Sequence, residues 1–382
     1  MIRGDFLAGA GALLATGVTA PFSQNGVLQQ FSIGVNVPLS GPLADYGKQI
    51  LGGVQAAVNE ANRYNSSLMR AWAVRSFDDQ NAVAVATSNA FIAAADPGVI
   101  AMVGNLTTEV TLAALEQYRN ASFACVVPAL TADIITSRGF RNVFRLPTKD
   151  SSEGRLFARA VLQGKKATVV RAIWVEGEYG VDTARAFVAQ AKGDKHDADL
   201  VAMETTSDPK NTAAIALKAN PTYIFLSGKP DRLGPVAREL RAQGFKGDFG
   251  ASDGFFTTAI TQPYGALLSG ALVATSLPPI ERAPANTTLL ADFHGDVGDV
   301  TAFSAYGYAA GQLIISAVGR TSAKDRFQLL SQIQQGGSYT LLVGQYQFDF
   351  NGDATLPEIY LFRITDKGFD YVRPAMPNGF VT

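Results

Sequence analysis

Threonine side chains follow two strands of the predicted fold and could bind an anion. Thr108 begins a helix directly after the third predicted strand, and the segment Ala129-Leu130-Thr131 follows the fourth. A threonine hydroxyl beside the free backbone N–H groups at the positive end of a helix can hold a carboxylate. These threonines could instead only cap helices. Two such positions at adjacent strand ends favour an anion pocket.

The chain offers little material for a metal centre or a catalytic nucleophile. It has one cysteine, Cys125, and two histidines, His196 and His294. We predict that Cys125 lies in a core strand and that both histidines lie on the surface. No phosphate-binding loop, GxSxG nucleophile elbow or HExxH zinc motif occurs. We therefore expect no metal, no cofactor and no enzymatic activity.

One group of acidic residues near the C-terminus has the spacing of a cation site. Asp349, Asn351 and Asp353 resemble the opening of a calcium-binding loop. Such a loop needs a glutamate at its twelfth position, where this chain has Tyr360. The pattern therefore predicts a β-turn between two strands.

Charge and length limit the class of protein. The chain has 32 basic and 33 acidic residues, a net charge of −1, and no basic run. It therefore lacks the positive surface that nucleic-acid binding requires. At 382 residues, 47% of them hydrophobic, it is too long for one hydrophobic core, which predicts at least two domains.

The first residues have the order of a secretory signal peptide. Arg3 supplies a positive charge, residues 6–18 are apolar, and residues 18–20 resemble a small-residue cleavage site. The apolar run is short for a membrane span. A frayed N-terminal helix or a lipid-facing anchor would also fit. We predict a signal peptide over residues 1–20 and export of the mature protein.

Strand patterns alternate with helical patterns along the chain. A first series runs from the strand at 31–37 to the strand at 143–146, and a second from the helix at 152–163 to the strand at 271–275. Alternation at this spacing predicts parallel sheets covered by helices on both faces. Two series predict an α/β fold with two lobes. The helices and strands after residue 300 must return to one lobe or the other.

Residues 37–47 (VPLSGPLADYG) resemble the opening of the periplasmic branched-chain amino-acid-binding proteins, the extracytoplasmic receptors of ABC transporters. The similarity continues in order at residues 77–79, 128–144, 150–154, 178–180, 253–254 and 348–353. It implies the type I periplasmic-binding-protein fold, in which two Rossmann-like lobes with parallel-sheet cores are joined by three crossovers. The expected lobes are 29–148 plus 277–336, and 149–276 plus 337–382.

The resemblance also implies roles for individual residues. Thr108, with the backbone of Ala129 and Thr131, would hold a ligand carboxylate. The Thr131 side chain and the Asp253 carboxylate would bind the ammonium group. A buried zwitterion needs both of its charges paired in this way.

Aromatic residues complete the implied pocket. Tyr179 would close over the ligand from the second lobe, while Tyr46 and Phe303 would line the pocket for the ligand side chain. Aromatic walls suit an apolar or aromatic ligand body.

Two candidate residues have two interpretations each: Asp253, whose binding role the resemblance implies, and Lys229, where this chain departs from relatives that have aromatic residues. Asp253 could only cap the turn that follows its strand, helped by Gly254. Lys229, in the segment Gly228-Lys229-Pro230, could bind an acidic group of the ligand or be a solvated loop lysine.

We therefore expect a monomeric, periplasmic solute-binding receptor. It would bind an amino acid or a related small organic or aromatic carboxylate between its lobes and deliver it to an ABC permease in the membrane by hinge closure. A ligand sensor of the same fold that feeds a signalling receptor is the alternative. A secreted hydrolase would need a nucleophile–base pair that the sequence lacks. The ligand itself stays open.

Overall fold

The computed structural model of the protein describes residues 29–64, 70–166, 168–280, 293, 295–296 and 300–375. The predicted signal peptide at 1–20 and His294 lie outside these residues. Within them, no helix combines the length and the apolar character that spanning a membrane requires.

The first sheet contains parallel strands only. Its strands are β1 (Gln29–Val37), β2 (Arg70–Asp78), β3 (Val99–Gly104), β4 (Ala124–Val127) and β5 (Val143–Arg145). They lie in the order β2-β1-β3-β4-β5. The helices that alternate with them are α1 (Ala44–Tyr64), α2 (Val83–Ala95), α3 (Thr108–Asn120) and α4 (Ile134–Ser137). Every residue of β3 and β4 is buried, as expected for parallel strands covered on both faces.

A second parallel series follows. Its strands are β6 (Val169–Val175), β7 (Asp197–Met203), β8 (Tyr223–Leu226), β9 (Asp248–Ala251) and β10 (Leu272–Thr275). Its helices are α5 (Asp150–Leu162), α6 (Val181–Gly193), α7 (Pro209–Leu217), α8 (Pro230–Ala242) and α9 (Thr261–Tyr264). The carboxyl ends of these strands meet at one edge, where open α/β sheets bind ligands.

The chain then returns to the first lobe. Helix α10 (Ala302–Thr321) packs along α1, α11 (Arg326–Gln334) follows, and the hairpin of β11 (Tyr339–Leu341) and β12 (Gly344–Tyr346) packs on α10. The apolar side chains of the hairpin are buried in the first lobe's core. The predicted boundary, which gave 337–382 to the second lobe, is wrong for this hairpin because its apolar residues cover α10.

The last strands complete the second sheet. Strands β13 (Tyr360–Ile364) and β14 (Phe369–Pro374) add to it in the order β14-β13-β10-β9-β8-β6-β7. Both pairings are antiparallel, at the edge of an otherwise parallel sheet. The chain thus passes between the two lobes after β5, after β10 and after β12. The prediction of two α/β lobes joined by three crossovers is confirmed.

The lone cysteine and one histidine lie inside the protein. Cys125 is fully buried in β4, as predicted, and burial raises the pKa of its thiol. His196 is only 8% exposed, so its predicted surface position is wrong. Its Nδ1 accepts a hydrogen bond of 3.1 Å from the backbone N–H of Thr168, which ties the ring to the turn before β6.

Helices α1 and α10 approach closely through glycine residues. A Cβ atom at Gly53 would lie 2.1 Å from the carbonyl oxygen of Ser304 and 2.6 Å from the backbone nitrogen of Tyr308. A Cβ atom at Gly307 would lie 2.3 Å from the carbonyl oxygen of Ile50. No side chain fits at either position, so the two glycines set the distance between the helices.

We expect Gly53→Ala to lower the free energy of unfolding by about 1–3 kcal/mol, because the added methyl group forces the helices apart. Gly52→Ala is the matched control, since a Cβ atom at Gly52 has no neighbour within 4 Å. There alanine should stabilise the helix by about 0.5–1 kcal/mol. Urea unfolding of both variants beside the parent protein tests this. Equal effects at the two positions would contradict the close packing.

Candidate functional site

The N-terminus of α3 presents Thr108 at the carboxyl end of β3. Thr108 is the first residue of the helix and is half-buried. The preceding residue, Thr107, makes no side-chain cap and donates its hydroxyl hydrogen bond to Asn81 Oδ1 at 2.6 Å. The Thr107 side chain therefore leaves the N–H groups of the first helical turn available to another acceptor.

The loop after β4 is fixed from behind. Leu130 and Thr131 are buried in this loop, and Ala129 is half-buried. The carbonyl oxygen of Thr131 accepts a hydrogen bond of 2.8 Å from the Arg145 guanidinium and one of 2.9 Å from the backbone N–H of Asp150. These bonds occupy the carbonyl side of the loop and hold its position at the sheet edge.

Two aromatic side chains meet between α1 and α10. The ring centroids of Tyr46 and Phe303 lie 4.8 Å apart, with an interplanar angle of 50°. Tyr46 is 44% exposed, and Phe303 is half-buried. The structure therefore brings this predicted pair together as a partly open apolar surface of the first lobe.

In the second lobe, the loops after β6, β8 and β9 converge. The Tyr179 hydroxyl donates a hydrogen bond to Asp253 Oδ1. A Cβ atom at Gly254 would lie 2.4 Å from the carbonyl oxygen of Gly228 and 3.1 Å from a ring carbon of Tyr179. Only glycine permits this approach, which places Asp253, Tyr179 and the residue before Lys229 side by side.

Asp253 has contacts with its own turn and with a second loop. Burial raises the pKa of its carboxyl, and a hydrogen bond from the backbone N–H of Gly254 partly offsets this. The bond from Tyr179 joins the same carboxylate to a second loop at the strand ends. Both interpretations of Asp253, a turn cap and a ligand contact, stay predictions.

Lys229 lies at the rim of this group of loops. It is the N-cap residue of α8, is exposed, and does not cap the helix with its side chain. Among the described residues, it has no carboxylate within ion-pair distance. Its two interpretations, a contact to an acidic ligand group and a solvated lysine, both stay predictions.

Two further carboxylates lie behind Asp253, and we did not predict them as site residues. Glu153 is 1% exposed and Asp150 is 3% exposed, one turn apart on α5. Glu153 Oε1 accepts a hydrogen bond of 3.1 Å from the backbone N–H of Asp253. Their signal in the sequence is a pair of acids on the apolar face of a helix, within the segment 150–154 that carried the family resemblance.

Burial raises the pKa of all three carboxyl groups, and neighbouring acidic charges add to the effect. Burial raises the pKa of Asp253 to about 7, helped by the charge of Asp150. Burial also raises the pKa of Asp150 to about 6, although a hydrogen bond from Thr131 opposes the change. The pKa of Glu153 lies well above its ordinary value because of burial and its two acidic neighbours. A ligand cation at this position would relieve the repulsion.

A missed aromatic residue links α10 to a crossover. Tyr306 follows Phe303 by one helical turn, and its hydroxyl donates a hydrogen bond of 2.8 Å to Ser276 Oγ, just after β10. Tyr346 makes a similar link, from its hydroxyl to the carbonyl oxygen of Leu146 at 3.0 Å. These bonds join the first lobe to the segments that pass between the lobes.

A buried ion pair supports the loop after β4. The Arg145 guanidinium is fully buried and donates from Nε to Asp353 Oδ1 at 2.8 Å. Lys149 Nζ lies 3.0 Å from Asp353 Oδ2. Asp349 Oδ1 accepts the backbone N–H groups of Asn351 and Asp353, which forms the turn predicted there.

The described residues contain no group of three or more His, Cys, Asp or Glu side chains placed to hold a metal ion. The arrangement offers hydroxyl and N–H donors on one side and carboxylates on the other, which suits a molecule with both charges.

The chain is similar to known proteins over most of its length. A family model described as periplasmic binding protein matches residues 30–369. The Leu/Ile/Val-binding protein homolog 1 of Brucella suis is 25% identical over 346 residues, which cover 88% of this chain and 91% of that protein.

Two solved structures share the fold. A leucine binding protein from Thermotoga maritima has a TM-score of 0.76 and 21% identity, over 91% of this chain and 99% of that one. A solute binding protein from R. palustris in complex with benzoate has a TM-score of 0.72 and 18% identity, over 91% of this chain and 97% of that one. At these identities the likeness is one of fold.

Proposed function

The chain belongs to the periplasmic binding protein family, and on that premise we propose that it is the solute-binding receptor of an ABC transporter with an α-amino acid as its ligand. The observation that carries the choice of ligand is the group of carboxylates formed by the buried Asp150 and Glu153 and the half-buried Asp253. Such a group disfavours a simple anion and favours an ammonium group. The similar proteins named for leucine, isoleucine and valine support the same choice.

The proposed ligand lies between the lobes. Its carboxylate accepts hydrogen bonds from Thr108 and from the loop of Ala129, Leu130 and Thr131. Its ammonium group pairs with Asp253 and with the Thr131 hydroxyl.

The remaining site residues contact the rest of the ligand. Tyr46 and Phe303 pack on the ligand's side chain, and Tyr179 holds the Asp253 carboxylate in place. Lys229 at the rim would meet an acidic group on a larger ligand.

The proposed mechanism is capture and delivery without chemistry. Ligand contacts to both lobes stabilise a closed form by rotation at the three crossovers, and the permease in the membrane binds that form. We propose that the receptor works as a monomer in the periplasm after removal of the signal peptide at 1–20. A sensor that feeds a signalling receptor would bind its ligand in the same way, and its partner would then be a receptor instead of a permease.

A thermal-shift screen tests the ligand class. We expect an α-amino acid at 100 times its dissociation constant to stabilise the protein by about 2.7 kcal/mol. Benzoate and 4-hydroxybenzoate should shift the melting temperature less, because they bring no positive charge to Asp253. A shift with these acids alone would contradict the choice of an amino acid.

The fate of the ligand tests the absence of catalysis. A labelled amino acid or amide released after denaturation of the complex should be recovered unchanged. Turnover of the label would instead indicate an enzyme and contradict the receptor assignment.

A further inference from the structure

We infer that Glu153 is uncharged in the ligand-free protein at neutral pH, and that an ammonium ligand at Asp253 makes it release its proton. Glu153 thereby selects for ligands that carry an amine. The inference rests on the proposed function, since it requires the ammonium group of the ligand to bind beside Asp253. Glu153 would not contact the ligand directly, but its protonation would respond to the ligand's charge.

The geometry around Glu153 favours its neutral form. Its side chain is 1% exposed, and Oε1 accepts the backbone N–H of Asp253 at 3.1 Å. Oε2 is buried and has no hydrogen-bond partner in the described part of the chain. A buried carboxylate oxygen without a donor is costly when it carries charge, whereas a proton on that oxygen removes most of the cost.

The surroundings of Glu153 and Asp253 are acidic. The titratable groups that act on this pair are Asp150 on α5, Tyr179 after β6 and Tyr306 on α10. Three more charged groups act on Asp150, one turn from Glu153: Asp133 after β4, Asp182 on α6 and Arg145 on β5. The cations Arg145 and Lys149, the latter just before α5, are both paired with Asp353. Among the described residues, Glu153 and Asp253 therefore have no cationic side chain as an ion-pair partner.

Repulsion between the Glu153 and Asp253 carboxylates also favours the neutral form of Glu153. After burial, the charge of Asp253 is the largest factor that raises the pKa of Glu153, followed by the charge of Asp150. An ammonium group on Asp253 would cancel much of this repulsion, because an opposite charge within about 4–6 Å lowers a carboxyl pKa by about 1–3 units. The proton that Glu153 loses passes to solvent, and the ligand's ammonium group keeps its own proton.

The sign of the pH dependence follows from the proton balance. Because binding releases a proton, affinity for an α-amino acid should rise with pH, by up to about tenfold per pH unit where one full proton is released. Because its pKa is about 7, the Asp253 carboxyl is still half protonated at pH 7 and contributes to this rise up to about pH 8. The part of the rise between pH 7 and 8.5 that Glu153→Gln removes therefore reports Glu153.

Calorimetry of the full-length mature protein measures this proton directly. Leucine is titrated at pH 8 in phosphate and in Tris, whose ionisation enthalpies differ, and the difference in binding enthalpy gives the protons released. We expect up to one proton from the parent protein and none from Glu153→Gln, which keeps the Oε1 acceptor. Release of no proton by the parent, or of as many by the variant, would overturn the inference.

Two further measurements separate a failure of this inference from a failure of the proposed function. If Glu153→Gln does not fold, proton release by the parent protein is compared between leucine and benzoate. Benzoate has no ammonium group and should release no proton, so equal release with both ligands would overturn the inference. If no amino acid binds at all, the proposed function has failed. If leucine binds with the same affinity at pH 7 and pH 8.5, the function stands and only the role of Glu153 has failed.

Discussion

Replacing Asp253 by asparagine (Asp253→Asn) should weaken the binding of an α-amino acid by about 2–4 kcal/mol, or roughly 30- to 700-fold in Kd. Asparagine keeps the size of the side chain and an oxygen that can accept the hydrogen bond from the Tyr179 hydroxyl. It removes the charge that pairs with the ammonium group. The loss should therefore be specific to ligands that carry an amine.

The same variant should bind a simple carboxylate, such as benzoate, as well as before or better, since a repelling charge is gone. Asp248→Asn is the matched control, because Asp248 begins strand β9 and forms only an exposed ion pair of 3.4 Å with Lys165. We expect no change in the affinity for either ligand there. Calorimetry on the three proteins gives the affinities. An Asp253→Asn protein that folds and binds leucine as tightly as the parent would reduce Asp253 to a turn residue.

Much of the fold could be predicted because local periodicity and burial agree. The sequence pattern predicts a strand at Tyr223–Leu226 and a helix at Arg326–Gln334, and the structure has both with these bounds. The strand is a short continuous apolar run, and Asp325 caps the start of the helix. Antiparallel pairing of β13 and β14 could not be predicted, because it depends on which edge of the second sheet is open when the chain returns.

Buried polar residues were harder to predict than apolar ones. His196 lies in a polar stretch, yet the turn between α6 and β7 buries it. Glu153 and Tyr306 are buried because three separate segments of the chain meet around them, which no local window contains. Thr108 and Asp253 could be proposed as candidates from their positions at strand ends, because a parallel sheet brings its carboxyl ends together.

The largest loss of stability is expected at the ion pair behind the loop of Thr131. Asp353→Asn should lower the free energy of unfolding by about 3–5 kcal/mol, because it leaves the fully buried Arg145 guanidinium without a compensating charge. Glu116→Gln is the control, since Glu116 forms an exposed pair with Arg119 on α3 and should change stability by less than about 1 kcal/mol. Urea unfolding at pH 7 measures both.

The pH dependence of the Asp353 contribution separates charge from packing. Burial alone would raise the pKa of Asp353, but Arg145 and Lys149 lower it below the ordinary value. A carboxyl whose folded-state pKa is depressed stabilises the protein above its unfolded pKa of about 4, and this contribution is lost as pH falls through the folded value. The difference in unfolding free energy between the parent and Asp353→Asn should therefore shrink below about pH 4. The pKa values of Asp150, Glu153 and Asp253 are raised and act in the opposite direction. Their contribution is the same in both proteins and cancels when the two unfolding free energies are subtracted. A difference that stays constant down to pH 3 would mean that packing, and not the buried charge on Arg145, carries the effect.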